Sequence, residues 1–542
     1  MTEYDYIVVG AGSAGCVLAN RLSEDAGINV LLLEAGPKDD SPYIHMPKGI
    51  AKLRLHPLYS WQFPVEPELG RNQGEEWARG KVLGGSSSIN GMIYIRGQKQ
   101  DYEEWESRGN PGWGWRDMAA VFKKMEDHEL GADELRGTGG PLRVSIGYAP
   151  DPVADALFNA GEQMGLKRKA DLNREDQEGV GYYPRTTKNG RRWSSAAAFI
   201  RPARRRRNLT VVTDAEVNRV LFEGRRAIGV EARRHGSIQQ FRGREVILSS
   251  GAIKSPHILL LSGVGPATRL REVGVPVIHD SPGVGANMRE QMGFTLCYRL
   301  NNAAGHNQEL RGLRLIKNVA RYYLTHTGVL SYGIYEAGGF ARTRPELDRP
   351  DIQLYMGPLT FTRDDTTQHM AKVAVDRIPG VSIFGYKLRP DSRGVISLHS
   401  ADPMAPPYIK PNWLTAESDR RTAIDMIRYM RRYMAQPALK GYVGEESVPG
   451  AELQSDDDLL DAYRRLGSCS MHATGTCSMG TDKKDVVDER LRVRGVTGLR
   501  VADCSIMPSP ISGNTNGPAM AVGWRAADLI LEERRGDVAK AA

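Results

Sequence analysis

The chain opens on a short, unbroken apolar run, Ile7 to Val9, set within Tyr4 to Gly10. A run of this kind suits a strand buried on both faces of a parallel sheet, not one with a solvated side. Cys16 to Leu22 then reads as a helix, and Asn29 to Leu33 as a second buried strand that ends at Glu34. Near the other end, Leu499 to Ala502 is another apolar strand, stopped by Asp503, and Met520 to Asp528 is helical. Strand, helix and strand in this order make a βαβ unit, so the pattern predicts an α/β fold.

Between the first strand and its helix stand Gly10, Gly12 and Gly15, in the spacing G-x-G-x-x-G. The first glycine permits a tight turn and the second lets backbone approach a pyrophosphate. The third lets the helix lie close on the strand, with its N-terminal amides aimed at the phosphates. Glu34 closes the second strand 19 residues beyond Gly15, where a carboxylate would accept from a ribose hydroxyl. That acceptor favours NAD or FAD over NADP, and leaves the two open.

Composition changes this picture little. The chain has 542 residues, 40% apolar and 25% charged, as in ordinary soluble enzymes, while its 59 glycines are more than average and cluster where backbone must approach something closely. Its net charge of +8 is concentrated partly in Arg201 and Arg204 to Arg207. No aromatic-interleaved basic stripe accompanies that run, so a nucleic-acid partner is not expected, while a peripheral contact with acidic lipid stays open. The five cysteines (Cys16, Cys297, Cys469, Cys477 and Cys504) are scattered, fitting neither a disulfide framework nor a metal site. Met1-Thr2-Glu3 runs straight into the first strand, and no apolar stretch nears the ~20 residues that span a bilayer. A cytoplasmic protein with no bound metal is expected, membrane-associated at most peripherally.

Three further motifs carry a family resemblance. Gly80 to Gly97 (GKVLGGSSSINGMIYIRG) and Gly251 to Gly265 (GAIKSPHILLLSGVG) resemble the two signatures of the glucose–methanol–choline (GMC) oxidoreductases. Val501 to Pro508, followed by Gly513-Asn514-Thr515-Asn516-Gly517-Pro518, resembles the family's closing segment. The wording of Ile44 to Pro47, of Asn189 to Ala196 and of the Gly-Asn-Thr-Asn ending is most similar to bacterial choline dehydrogenases and medium-chain alkanol dehydrogenases.

The resemblance implies FAD as the cofactor. Gly84, Gly85 and Ser86 can offer backbone N–H groups to its pyrophosphate. Asn90, Gly91 and Met92 are expected beside the flavin ring, Val217 among the cofactor contacts, and Asp503 as an acceptor for the ribityl region. Some relatives attach FAD through a histidine at the position of Ile89, so here the cofactor is expected to be held non-covalently. The competing reading of Asp503 is a helix N-cap.

Alcohol oxidation requires a base for the hydroxyl proton and an acceptor for the carbon-bound hydrogen, here flavin N5. By resemblance the base is His472, in Met471-His472-Ala473-Thr474-Gly475-Thr476-Cys477-Ser478. The second active-site position is filled by asparagine or histidine across the family. Asn516 and Asn514 both compete for it, and register with the helix after Met520 favours Asn516, as donor to a developing alkoxide. Ala473 and Ser478 depart from the usual proline and basic residue, and Glu290-Gln291 replaces a common Gln-Asp-His.

The expected reaction is oxidation of a primary aliphatic or aromatic alcohol to the aldehyde, with electrons passing to a quinone or other carrier. An oxidase returning them to O2 with release of H2O2, and a flavin-dependent lyase or photoenzyme on the same scaffold, are the alternatives. The expected organisation is a discontinuous Rossmann-like FAD domain (1–140, 206–297 and 467–542) and an inserted α+β substrate domain (141–205 and 298–466). The insert is expected to carry an antiparallel sheet, with Ile352 to Met356, Val381 to Tyr386 and Val395 to His399 as strands. Asp419 to Met434 reads as a helix with Arg and Met on its outer faces, and Tyr43 to Trp61 as a cover over the site entrance.

Overall fold

The computed structural model describes residues 3–71, 74–148, 151–362 and 374–541, with side chains to residue 536. Its first element, β1 (Glu3–Val9), is followed by helix α1 (Ser13–Leu22) and β2 (Val30–Leu33). β1 is flanked on both sides by parallel partners, with Ile7 level with Leu31 of β2 and with Val246 of the strand Ser237–Leu248. That central place explains why Ile7, Val8 and Val9 are all buried. The strand Leu209–Val212 extends the sheet beyond β2, and Leu499–Val501 pairs in parallel beyond Val246 to Leu248.

All these parallel strands end on one edge of the sheet, the edge where α/β sheets bind ligands. The first half of Ser237–Leu248 instead turns into an antiparallel meander with Arg226–Arg234 and Ala215–Glu223. α1 packs against the C-terminal helix Asn516–Ala541. Arg206, from the basic run, donates to Asn20 O and Ser23 Oγ at the C-terminal end of α1, where a cation meets the helix's exposed carbonyls.

The second sheet is antiparallel throughout, in the order Val443–Val448, Met292–Leu300, Gly380–Lys387, Ile352–Gly357, Ala337–Ala341, Gly179–Tyr182. Ser468–Cys469 adds to it alongside Met292 and Gly293. Period-two alternation gives this sheet two different faces. Leu354, Met356, Val381 and Ile383 belong to the core shared with the helix Glu417–Met434. Tyr355 and Tyr386 face the other way, in an aromatic cluster with Tyr183. The helix seats closely because a Cβ on Gly385 would lie 2.9 Å from Met426 Sδ and 3.0 Å from Met430 Sδ.

Three sequence expectations change here. The FAD segment written to residue 297 ends inside the strand Met292–Leu300, whose partners are all in the second sheet. Val395–Ser397 does not join that sheet. It pairs with Tyr408–Lys410, and Ile396 N donates to Gly285 O at 2.8 Å, because the chain has left the sheet after Lys387. On Glu417–Met434 the arginines Arg421 and Arg432 are exposed as expected, but Met426, Met430 and Met434 are buried. Their spacing of four places them together on the sheet-facing side.

The third glycine of the fingerprint has a plain steric reason: a Cβ on Gly15 would stand 1.9 Å from Gly10 O. Backbone cannot step aside as a side chain can. Gly15→Ala is expected to destabilise the fold by about 3 kcal/mol, at the upper end of the overpacking range, read as a lowered urea midpoint.

Candidate active site

A cavity of about 400 Å³ opens along the carboxyl edge of the parallel sheet and continues beneath the aromatic face of the second sheet. At one end lies the start of α1. Its N-cap residue, Gly12, offers no side-chain cap, so the first-turn amides face the cavity unscreened. A Cβ on Gly12 would have only Ser249 O near it, at 3.8 Å, so this glycine leaves open room for a ligand. Gly10 is at φ +97°, a conformation that favours glycine.

The second glycine cluster is docked directly on the first. Gly84 N donates to Ala11 O at 2.8 Å, and a Cβ on Gly85 would stand 2.6 Å from Gly12 Cα. Ser86 lines the cavity and accepts from Gly80 N through its hydroxyl. Asn90, Gly91 and Met92 continue the lining. Asn90 is held by Arg192, a buried side chain that donates to Asn90 Oδ1, Asn90 O and Ser87 O. Ile89 lines the same wall with a purely hydrocarbon side chain.

Glu34 and Asp503 mark the ends of two parallel strands. Glu34 accepts from Ala11 N and Gly36 N, both at 2.9 Å. Burial raises its carboxyl to about 7, against the pull of those two N–H groups. Asp503 accepts from Gly251 N, Ser255 Oγ and Ser505 N. It therefore caps the short helix Cys504–Ile506 and also ties down the start of the helix Gly251–Leu261. The capping reading of Asp503 is thus real, and the residue lines the cavity as well, as does Val217.

His472 stands at the other end, partly buried, with its ring on the cavity wall. Its Nδ1 is 2.7 Å from Gln291 Oε1, and its Nε2 is 3.1 Å from Asn514 Nδ2. The amide orientations follow from their other partners. Gln291 Nε2 donates to Leu388 O and Ile511 O, which leaves its oxygen to accept from His472 Nδ1–H. Gln353 Nε2 donates to Asn514 Oδ1, which leaves the Asn514 amino group facing Nε2. The imidazole is therefore the Nδ1–H tautomer with its Nε2 lone pair turned to the cavity. Burial, reinforced by the charge of Arg79, lowers its pKa to about 3, so it stays neutral through the physiological range.

Asn514 is also locked into a closed ring of hydrogen bonds. It donates to Tyr355 Oη at 2.7 Å, Tyr355 Oη lies 3.0 Å from Tyr386 Oη, and Tyr386 Oη donates to Gln353 Oε1. Gln353 closes the circuit on Asn514 Oδ1. All four donors run in one sense around the ring, an arrangement in which each bond strengthens the next.

The structure brings together Gly10, Gly12, Glu34, Gly85, Ser86, Asn90, Gly91, Met92, Val217, His472 and Asp503 around one cavity. Gly15 and Gly84 serve it from behind, through the packing of α1 and of the second turn. Asn516 is the correction. It lines the cavity, but it accepts from Ser13 Oγ at 2.7 Å, at the start of α1, and it is Asn514 that meets His472. The C-terminal helix begins at Asn516, four residues ahead of the expected start, and this turns the Asn516 side chain towards α1.

Sequence reading also passed over Gln291, Gln353, Tyr355 and Tyr386. Gln291 had a signal, the departure at Glu290-Gln291. Glu290 accepts from His472 N at 2.7 Å and from Arg79 at 3.3 Å. The expected cover does reach the cavity: Ile50, Arg54 and Trp61 line it.

A dinucleotide fits this lining. The start of α1 is uncapped, Gly12, Gly91 and Gly251 leave room, and Asn516 Nδ2 is buried with no partner in the protein. Among the described residues no cluster of His, Cys, Asp and Glu could hold a metal ion, the five cysteines are unbridged, and no helix is long and apolar enough to cross a membrane.

Family models described as GMC oxidoreductase match residues 4–293 and 390–523. The chain is 41% identical to an alcohol dehydrogenase [acceptor] of Pseudomonas putida, over 98% of this chain and 96% of that one. It is 40% identical to the mitochondrial choline dehydrogenase of Homo sapiens, over 97% and 90%. Among solved structures, pyridoxine 4-oxidase from Mesorbium loti superposes with a TM-score of 0.87 at 28% identity, covering 97% of this chain and 99% of that one. With the two signatures meeting at one cavity and a histidine–asparagine pair at its far end, the chain belongs to the GMC oxidoreductase family of flavoproteins.

Proposed function

We propose that the protein oxidises an uncharged primary alcohol, aliphatic or aromatic, to the aldehyde with non-covalently bound FAD. The observation that carries this reading is the His472–Asn514 pair, a neutral base and an amide donor fixed side by side. A substrate oxygen placed between them would give its proton to His472 Nε2 while Asn514 Nδ2 donates to the negative charge that develops. FAD, when bound, supplies the acceptor for the carbon-bound hydrogen. The start of α1, Gly85 and Ser86 would hold its phosphates, and Asn516 would donate to it through the amino group left unpaired in the protein.

The substrate class rests on what surrounds His472. Glu290, the carboxylate at its side, is taken up by Arg79 and by backbone N–H groups, so it is not free to receive a quaternary ammonium group. Tyr335, Tyr355 and Ile334 supply an apolar wall instead. Ile89 has no nucleophile to offer the flavin, which supports a non-covalent cofactor. Electron delivery to a quinone or other carrier is favoured by the likeness to a dehydrogenase named for an acceptor.

Anaerobic mixing with a panel of aliphatic and aromatic alcohols is expected to bleach the oxidised flavin band. Bleaching by choline alone would overturn the substrate reading. His472→Ala should slow that reduction by roughly 10²–10⁴-fold with FAD still bound. Because the imidazole is held neutral down to about pH 3, the wild-type reduction rate should stay level as pH falls from about 8 to about 5. A fall through the ordinary histidine range near pH 6.5 would contradict this assignment.

The two asparagines separate by readout. Asn514→Ala should cost about 10²–10³-fold in flavin reduction, the usual price of one lost oxyanion donor, and leave FAD content unchanged. Asn516→Ala should weaken FAD retention, measured by release of free flavin on gel filtration, with a smaller effect on the rate.

A further inference from the structure

The helix Gly312–Thr325 carries more apolar surface than the protein covers. It sits on Met46 and Leu330 through Val319 and Tyr322, and Tyr322 Oη donates to His45 O at 3.2 Å. At 3.6 residues per turn, Tyr323, Ile316, Leu313 and Leu324 lie on the arc next to that buried strip. They stand 52%, 65%, 84% and 83% exposed. These are four of the ten large apolar side chains that are exposed among the described residues, gathered on one 14-residue helix. Scattered exposed leucines need no explanation, but a contiguous strip does.

On the far border of the strip run Lys317, Arg321 and Arg314, and the helix contains no Asp or Glu. An apolar face bordered by cations is the make-up of a helix that lies in the plane of a membrane surface. We propose that this helix docks the protein on an anionic phospholipid bilayer, with Leu313, Ile316, Tyr323 and Leu324 among the acyl chains and the Arg314–Lys317–Arg321 stripe at the headgroup phosphates. Charge complementarity selects this occupant over a second copy of the chain. Glu309, just ahead of the helix, pairs with Arg314 at 3.5 Å, but a two-fold contact through the same face would still bring Lys317 and Arg321 of both copies together with no carboxylate on either helix to meet them.

The position on the fold gives docking a purpose. The chain runs from this helix through the short helix Val329–Ser331 into Ile334 and Tyr335 of the cavity wall, and Lys48 Nζ donates to Gly333 O at 2.7 Å, tying that segment to the cover below it. A docked helix sets this wall beside the layer in which an apolar alcohol or a lipid-borne electron acceptor concentrates. That last step rests on the proposed function; the docking does not.

The test is vesicle flotation of the FAD-loaded protein. It should rise with vesicles containing phosphatidylglycerol, and roughly tenfold less with pure phosphatidylcholine or in high salt. Leu313→Asp/Leu324→Asp should lose flotation about tenfold or more, while its melting temperature and its rate of flavin reduction by a soluble alcohol stay those of the wild type. Arg314→Glu/Lys317→Glu/Arg321→Glu should lose it on anionic vesicles too. Wild type that stays at the bottom of the gradient, apolar-face variants that still float, or a wild-type dimer that the first variant splits would each overturn the proposal. Unchanged flotation by protein that no alcohol reduces would uphold docking and fault only the proposed reaction.

Discussion

The proposed chemistry turns on the orientation of one imidazole. His472 can accept a proton at the cavity only while Nδ1 keeps its own, and that is enforced by Gln291, whose amide is pinned in turn by two backbone carbonyls. On the other side, Asn514 offers its amino group to Nε2 because the ring through Tyr355, Tyr386 and Gln353 has already claimed its oxygen. A flip of either amide would set like against like. The imidazole ring is thus oriented through Gln291 by backbone groups two contacts away, while the Glu290 carboxylate holds the backbone N–H of His472.

The two sheets divide the work. The parallel sheet contributes backbone: glycine turns, helix starts and strand ends, all places where amides face outward and side chains would obstruct. The antiparallel sheet contributes side chains, and its alternation separates a packing face from a chemical face within one strand. Ile352–Gly357 shows this most clearly, since Leu354 and Met356 meet the helix behind while Gln353 and Tyr355 belong to the hydrogen-bonded ring in front.

Legibility in the sequence followed the same division. The parallel core, the α/β class, FAD-type glycine turns and the family could be read from local patterns, since a tight turn or a buried strand leaves a mark in neighbouring residues. Glu34 and Asp503 were found the same way, at strand ends. What was not legible depends on how distant segments meet. Nothing local says that Asn514 and not Asn516 faces His472; one earlier turn of helix decides it. Gln353, Tyr355 and Tyr386 look like any polar and aromatic residues in strands until the second sheet pairs. The methionines of Glu417–Met434 could be assigned inward or outward only once Gly385 was seen to leave them room.

The parallel sheet is assembled from pieces far apart in the chain: residues 3–33, 209–248 and, on the far side of the inserted sheet, Leu499–Val501. Its last strand and the helix that packs on α1 are also the last of these to leave the ribosome. Until they arrive, α1 has one uncovered apolar side and the cavity lacks His472, Asn514 and Asp503. The N-terminal segments of the sheet therefore cannot complete their packing, or the cavity its lining, before residues 472–516 have been made.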